Sequence, residues 1–271
     1  MPKQHCLATI FAASLLVSVC QAENQRNLLL IGQKPDGHPP STHEYMPAQR
    51  VLAACLRNVD GLRTTIVQAD GPWLEGPRLV DDADGVVLFV SEGAKWLSAQ
   101  PRRLQAFARL AERRGGLVVM HWGMGTRDAA NIETFLKLFG GCHGGPDRKY
   151  TVVSNADCQV AAPAHPVVTA VKSFRLPREE FYYQLKWVEP SGEITPLIRV
   201  PIEGVVETVC WAWQRPDGGR SFGFSGLHFH NNWRHTQYRR LIAQAALWSI
   251  KVPIPKNGLP VGIDDEILTL K

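Results

Sequence analysis

The chain has 271 residues, a formal net charge of +5 and 20% charged residues. Its basic residues are scattered, as at Arg102-Arg103 and Arg239-Arg240, instead of forming one stripe, which argues against a nucleic-acid-binding protein. A chain of this length can form a single domain with a large core.

Residues 1–22 have the pattern of an export signal. Lys3 precedes an apolar run from Cys6 to Val19, and small residues stand just before Glu23. The run is shorter than the roughly 20 residues that a spanning helix needs. We therefore expect cleavage and export to the periplasm or the extracellular space, with no membrane span. A lipid-modified Cys20 is the alternative, although Val19 is a poor residue to precede it.

Four cysteines remain after the predicted cleavage. Cys142 and Cys158 lie in loop-like sequence and form the most plausible disulfide pair of an exported protein, whereas Cys55 and Cys210 lie in apolar segments typical of buried thiols. The absence of a CxxC pattern argues against a zinc site built from thiolates.

The first half of the chain alternates apolar runs with segments of helical periodicity. It predicts strands over 27–31, 64–67, 85–90 and 117–121, and helices over 46–56 and from Ser98, with Pro101 in the first turn, to Gly115-Gly116. This order predicts an α/β fold with a doubly wound, mostly parallel sheet flanked by helices.

The second half predicts extra antiparallel strands and a closing helix. The strands are expected over 150–154, 181–187, 196–200, 205–214 and 220–225, with a turn over 216–219 and a helix over 236–250. We expect one domain over residues 23–252, followed by a Pro-rich surface extension over 253–271.

Histidines follow two of these predicted strands. His121 comes directly after a buried strand and before a Gly-containing turn, where α/β folds display functional side chains. In His228-Phe229-His230, an extended backbone would point both imidazoles the same way, which suits a divalent metal. The alternative interpretation is structural: each histidine could be a hydrogen-bonded side chain at a strand end.

Carboxylates stand beside two further predicted elements. Glu179-Glu180 opens an otherwise apolar strand, and partial burial there would raise a carboxyl pKa and suit acid–base catalysis. A solvated pair at a strand edge is the alternative. His43 and Glu44 lie in the loop after the first strand, together with His38, and Glu44 would also complement a helix N-terminus.

Several common catalytic arrangements are absent from the sequence. No cysteine stands at the strand–turn position that a nucleophilic thiolate would occupy. The chain has no P-loop, no GxGxxG after the first strand and no HExxH, so we expect no nucleotide cofactor.

Taken as an ordered set, these segments resemble the ThuA-like (trehalose utilisation) family. The matching segments are Gly115 to His121, Phe139-Gly140-Gly141 with His143, Ala164 to Val167, Glu179 to Tyr182, and Gly219-Arg220 with Gly226 to His228. The resemblance covers roughly residues 27–251 and implies a fold similar to class I glutamine amidotransferases, also described as flavodoxin-like. Two positions depart from the family pattern: Glu179 replaces an aspartate and Leu227 replaces a glycine.

The resemblance implies that the protein handles carbohydrate, with links to disaccharides and oxidised (keto) sugars. It carries over His121, Glu180 and His228 as catalytic residues. It also carries over Tyr182 and, in second place, His165 as substrate-binding residues; an HP dipeptide is equally a turn device. With His43, Glu44 and Trp122, they form the expected sugar pocket.

Two functional hypotheses follow. The first is a hydrolase, lyase or isomerase of a glycoside or keto-sugar in which His121, His228 and His230 bind a divalent metal (Zn, Mn, Fe or Ni) or polarise a carbonyl. The second is a non-catalytic carbohydrate-binding protein that stacks Trp96, Trp122 or Trp233 on sugar rings. Its partner would be a small carbohydrate, and a homo-oligomer is left open.

Overall fold

The structure is a computed structural model that describes residues 25–190 and 193–270. The predicted signal segment, residues 1–22, lies outside the described residues. Among the described residues, twelve strands are present: β1 (Arg26–Gly32), β2 (Leu62–Gln68), β3 (Gly85–Leu88), β4 (Gly116–Met120), β5 (Gly125–Thr126), β6 (Gly141–Gly144), β7 (Lys149–Val160), β8 (Phe174–Tyr183), β9 (Lys186–Trp187), β10 (Ile194–Ile202), β11 (Val205–Gln214) and β12 (Arg220–Phe224).

Nine of these strands form one sheet in the order β2-β1-β3-β4-β12-β11-β10-β7-β8. The first five are mutually parallel, and the remaining four add in antiparallel fashion. Strands β3 and β4 are buried along their whole length, as expected where helices cover both faces. The predicted α/β fold, with antiparallel strands added in the second half, is confirmed.

In the part of the chain that the structure describes, seven α-helices surround the sheet. They are α1 (Tyr45–Leu56), α2 (Gly76–Asp81), α3 (Gly93–Ser98), α4 (Pro101–Glu112), α5 (Ile132–Phe139), α6 (Thr236–Ser249) and α7 (Asp265–Leu268). The sequence pattern predicted α1, α4 and α6 but not the shorter helices. The predicted cap of α4 is wrong: Ser98 ends α3, and the residue that precedes α4 is Gln100.

The core consists of two apolar layers on opposite faces of the sheet. Along β1, Leu28 and Leu30 pack into one layer, whereas Leu29 and Ile31 pack into the other. This two-sided burial fixes the strand register, because a slip of one residue would exchange the two sets. The carboxyl ends of the parallel strands are therefore held in fixed positions.

The segment after residue 252, which was predicted to be a surface extension, packs against the core. Leu259, Val261 and Leu268 are buried against the core. Arg239 Nε on α6 donates to the Val261 carbonyl at 3.0 Å. This tail therefore belongs to the packed structure.

The predicted Cys142–Cys158 disulfide is wrong. Cys55, Cys142, Cys158 and Cys210 are all free and buried. Cys142 lies on β6, in the small sheet with β5 and β9, whereas Cys158 lies on β7 of the large sheet. Within the described part of the chain, no helix has the length and apolar character needed to cross a membrane.

Candidate metal centre and its pocket

Three histidines meet at the carboxyl edge of the parallel strands. His43 lies in the loop between β1 and α1, His121 directly follows β4, and His228 lies in the loop after β12. Ligand sites in open α/β sheets occupy this edge, because the loops that follow the parallel strands converge there.

Backbone contacts hold two of these loops together. Thr42 and Phe229 form an isolated antiparallel bridge. Beside it, the His43 N–H donates to the His228 carbonyl at 3.1 Å. The two imidazoles are thus brought together by main-chain hydrogen bonds, which do not depend on a ligand.

The backbone at this site adopts conformations that are unusual for residues other than glycine. The φ angles are +51° at His43, +43° at His121 and +87° at Leu227. Residues in this region of φ tend to gather at functional sites, where the surrounding packing maintains the strain. Leu227 is the position at which the family pattern has glycine, the residue that tolerates such a φ at least cost.

The three imidazoles converge on one point. His43 Nε2 lies 3.0 Å from His228 Nδ1 and 3.1 Å from His121 Nε2, and the third side of the triangle, from His121 Nε2 to His228 Nδ1, is 3.3 Å. Nitrogens bound to one tetrahedral Zn²⁺ at about 2.0–2.1 Å would lie about 3.3 Å apart. The triangle therefore matches the face of a metal coordination sphere with little rearrangement.

Hydrogen bonds on the far sides of the rings fix how two of them point. His121 Nδ1 donates to the Ser225 carbonyl at 2.6 Å, because a carbonyl can only accept. His43 Nδ1 faces Asp36 Oδ2 at 3.3 Å and the Tyr45 hydroxyl at 3.1 Å. In the neutral rings, both Nε2 atoms then present lone pairs to each other, which favours a cation between them. Such outer carboxylate and carbonyl partners are typical of metal-binding histidines.

Burial keeps these rings neutral. Burial lowers the pKa of His121 well below its usual value, and the neighbouring histidines lower it further. Burial likewise lowers the pKa of His228 to about 3, and it lowers that of His43 despite the opposing effect of the hydrogen bond that His43 donates to Asp36. Neutral imidazole is the form that binds metals, so the set is ready for a metal at neutral pH.

Glu180 adds a carboxylate to the cluster. Its Oε1 lies 3.4 Å from His228 Nδ1 and 3.7 Å from His121 Nε2. Burial raises the pKa of Glu180 to about 7, with a further contribution from Glu179. The four side chains His43, His121, Glu180 and His228 form a group that can hold a metal ion. A carboxyl with this pKa can also accept and return a proton near neutral pH.

Glu179 faces the opposite side of β8 and supports the loop that carries His228. Its buried carboxylate accepts hydrogen bonds from the backbone N–H groups of Leu227 and His228, both at 3.1 Å, and from the Asn232 amide at 3.0 Å. The Tyr238 hydroxyl donates to it as well. The two adjacent glutamates therefore differ in role: Glu180 lines the pocket, and Glu179 stabilises the loop that carries His228.

Three members of the cluster, His43, Glu180 and His228, line a cavity of about 290 Å³. Tyr182 continues its floor: the ring lies between those of His121 and His143, with centroids 4.3 Å and 3.8 Å away, and its hydroxyl is 3.0 Å from His121 Nε2. The lining beyond Tyr182 and the cluster includes His38, Trp122, Arg127, His143, Arg148 and Tyr150. The cavity is at the small end of the volume range for ligand pockets.

The structure does not bring every predicted site residue to this cavity. His230 begins a 3-10 turn and lies outside the cluster, so His43 takes the place of His230 among the candidate metal ligands. Glu44 accepts a hydrogen bond from Ser41 N at 2.9 Å. His165 accepts one from Val167 N and packs against Trp248. Glu44 and His165 are therefore in structural positions and do not line the cavity.

Several residues that shape the site were not predicted from the sequence. His143 was named only in a segment that matches the family pattern and was given no role there, although that match was a usable signal. Arg148 had no signal, because single surface arginines are common. Asp36, which supports His43, lies in a Pro- and Gly-rich loop where an acidic residue is unremarkable.

Together these features define an α/β protein with a histidine–glutamate pocket at the ends of its parallel strands. The chain belongs to the ThuA family, whose sequence profile, described as trehalose utilisation, matches residues 29–249. The membership supports a role related to carbohydrate utilisation. A search of curated protein sequences finds no significant match.

Solved structures show the same fold at low sequence identity. A ThuA-like protein from Bacteroides uniformis superposes with a TM-score of 0.62 at 15% identity, covering 88% of this chain and 95% of its own. A second, from Parabacteroides merdae, gives a TM-score of 0.60 at 15% identity, with 83% and 89% covered. At this level of identity the similarity concerns the fold alone.

Proposed function

We propose that the protein is a metal-assisted enzyme that acts on a glycoside or keto-sugar as a hydrolase, lyase or isomerase. The observation that carries the proposal is the convergence of three neutral imidazole nitrogens, 3.0–3.3 Å apart, beside a carboxyl group. Kinship supports carbohydrate as the substrate, and the size of the cavity supports a single sugar ring as the reacting unit.

Each side chain has a task that follows from its place. His43, His121 and His228 would hold the metal, and a divalent metal bound there would supply Lewis-acid stabilisation of a developing oxyanion. Glu180 takes a proton from the substrate and returns one, since its pKa lies near neutrality. For a keto-sugar, the acidic proton is the one beside the carbonyl, and its removal leads to elimination of the aglycone or to isomerisation. The Tyr182 hydroxyl orients the sugar next to His121.

The second candidate, a non-catalytic carbohydrate-binding protein, rests on Trp122, which lines the cavity. The other two tryptophans considered for stacking do not line the cavity. Trp96 packs against Trp73 and Arg103, and Trp233 is 1% exposed in the core. One stacking residue next to four metal- and proton-binding groups is a weaker basis for simple binding than for catalysis.

Turnover by matched variants tests the enzyme proposal. The purified protein is loaded with Zn, Mn, Fe or Ni in turn and incubated with glycosides and their 3-keto derivatives. We expect wild type to convert at least one compound, and Glu180→Gln to lose conversion by about 100-fold or more while still binding the sugar. Glu44→Gln removes a similar carboxylate outside the cavity and should keep activity. Intact glycosides bound without turnover by every loaded form would favour the binding protein instead.

We also propose that residues 1–22 direct export and are removed. The support is the charged start, the short apolar run and the small residues before Glu23. Expression with a periplasmic fractionation and intact-mass measurement should give a chain that begins at Glu23. A full-length chain retained in the cytoplasm would contradict this.

A further inference from the structure

We propose that the cavity selects sugars that carry an anionic group, a carboxylate or a phosphate, and that Arg148 binds this group. The inference deepens the proposed function by naming the substrate class of the same site. It stands on the position and the pairing of charged side chains around the cavity.

Arg148 lines the cavity without a carboxylate partner. The side chain is half-buried, and Nη1 donates to the Gly145 carbonyl at 3.0 Å. No Asp or Glu of the described residues lies within ion-pair distance of its guanidinium, whereas the neighbouring charges are paired: Lys186 with Asp147, and Arg127 with Glu92. Arg148 therefore keeps guanidinium N–H donors free for a ligand.

A partly desolvated guanidinium without a partner is unfavourable, and an incoming anion removes that penalty. The planar fork of arginine matches the two oxygens of a carboxylate or the oxygens of a phosphate. The second arginine of the cavity, Arg127, differs because Glu92 Oε2 lies 2.9 Å from its Nη1 and already compensates its charge. Of the two arginines, Arg148 is therefore the one that selects an anionic ligand.

The arrangement also orients the substrate. The rings of His121, Tyr182 and His143 stack in that order. Arg148 lies near His143, at one end of the stack: burial lowers the pKa of His143 to about 3, and the charge of Arg148 contributes to this shift. Glu180 lies at the His121 end. An anionic group at Arg148 therefore places the rest of the sugar ring against the metal-binding end and keeps the anion away from the Glu180 carboxylate.

Calorimetric binding tests the inference with defined probes. D-glucuronate, glucose 6-phosphate and D-glucose are titrated into wild type, Arg148→Gln and Arg127→Gln, each in EDTA and each with a loaded metal. The EDTA series isolates Arg148, because a bound metal also attracts anions. We expect wild type in EDTA to bind at least one anionic probe about tenfold or more tighter than glucose. Arg148→Gln should bring that preference to within about threefold, and Arg127→Gln should retain most of it.

The two anionic probes distinguish a sugar acid from a sugar phosphate, and preference for either supports the inference. Equal binding of glucose and both anions by wild type, or no binding of either anion, would overturn it. An unchanged preference in a folded Arg148→Gln protein would overturn it too. A metal-free, inactive protein that still prefers the anion would contradict the proposed function alone. A metal-dependent enzyme that favours neutral sugars would contradict only the present inference.

Discussion

Asp36 determines which ring nitrogen of His43 carries the proton. Its Oδ2 accepts a hydrogen bond from the Tyr45 hydroxyl at 2.6 Å and faces His43 Nδ1. Burial alone would raise the pKa of Asp36, but the hydrogen bonds from His43, Tyr45 and His38 outweigh it and hold that pKa below its usual range. The ionised carboxylate in turn keeps the Nδ1 proton of His43 in place, so Nε2 stays free to bind a metal.

Removing the charge of Asp36 should therefore weaken metal binding without removing a ligand. We expect Asp36→Asn to lower the affinity about 10–100-fold, as is usual for partners of metal-binding histidines. Competition with a chromophoric chelator measures this. Asp60→Asn, an exposed aspartate remote from the cavity, serves as the control. Equal affinities in the two variants would contradict the role of Asp36.

Glu180 should give the reaction an acidic limb in its pH dependence. In the proposed reaction the ionised carboxylate is the base, so kcat/KM should fall as the pH drops through its pKa, which burial raises to about 7. A bound metal favours the ionised form and moves the midpoint to a lower pH. The pH profile of any substrate found in the screen checks this. A rate that increases on acidification from pH 8 to 5 would contradict the assignment.

At the scale of single elements, β8 and the loop after β12 depend on each other through Glu179. Its buried carboxylate accepts hydrogen bonds from the backbone N–H groups of Leu227 and His228. The backbone of Leu227 also has a positive φ. Loss of an acceptor leaves buried donors without partners, which costs about 1–3 kcal/mol. The loop geometry that points His228 at the cluster should loosen as a result.

We therefore expect Glu179→Gln to lower the free energy of unfolding by about 1–3 kcal/mol and to weaken metal binding as well. Urea denaturation and chelator competition give the two readouts. Glu112→Gln, an exposed change on α4, should alter neither. Reduced stability with unchanged metal affinity would show that Glu179 supports the fold but does not position His228.

The sequence predicted the elements whose burial pattern is strong. The continuous apolar runs of β1, β3 and β4 and the amphipathic α4 were found because core burial imposes their patterns. The helices α2 and α3 have six residues each and α5 has eight, too few turns for a clear period. Long-range placement was also out of reach: β8, at the sheet edge, brings Tyr182 to the end of β4.

Sequence pattern predicted part of the site. His121 and His228 each follow a predicted strand, and Glu180 lies in an otherwise apolar one, where burial raises a carboxyl pKa. The pairing of His228 with His230 assumed that an extended backbone continues, whereas a 3-10 turn begins at His230. His43 joins the cluster through a bridge between two loops 185 residues apart, a contact that no local pattern reveals.

At the scale of the whole molecule, buried neutral histidines should make the fold sensitive to acid. Burial lowers the pKa of His230 to about 4 and those of His143 and His228 to about 3. The unfolded chain binds these protons near pH 6.5 and the folded protein does not. The free energy of unfolding therefore has its full value, as far as these histidines determine it, above pH 6.5. It decreases as the pH falls from there toward 4, by on the order of 1 kcal/mol per pH unit for each histidine.

His230 offers a direct test of this acid sensitivity, because neither of its ring nitrogens has a side-chain hydrogen-bond partner among the described residues. We expect His230→Leu to leave stability at pH 7.5 nearly unchanged and to reduce the loss between pH 6.5 and 4.5. Urea denaturation at the two pH values measures it. An identical pH dependence in wild type and variant would contradict the argument.

Metal content is the most direct test of the central claim. Wild type, His43→Ala and His230→Ala are purified, incubated with a transition metal, desalted and analysed by mass spectrometry for bound metal. The geometry predicts one metal ion per chain in wild type and in His230→Ala, and a loss of most of it in His43→Ala. A folded wild type that retains no metal, or a metal that is lost in His230→Ala and kept in His43→Ala, would contradict the three-histidine centre.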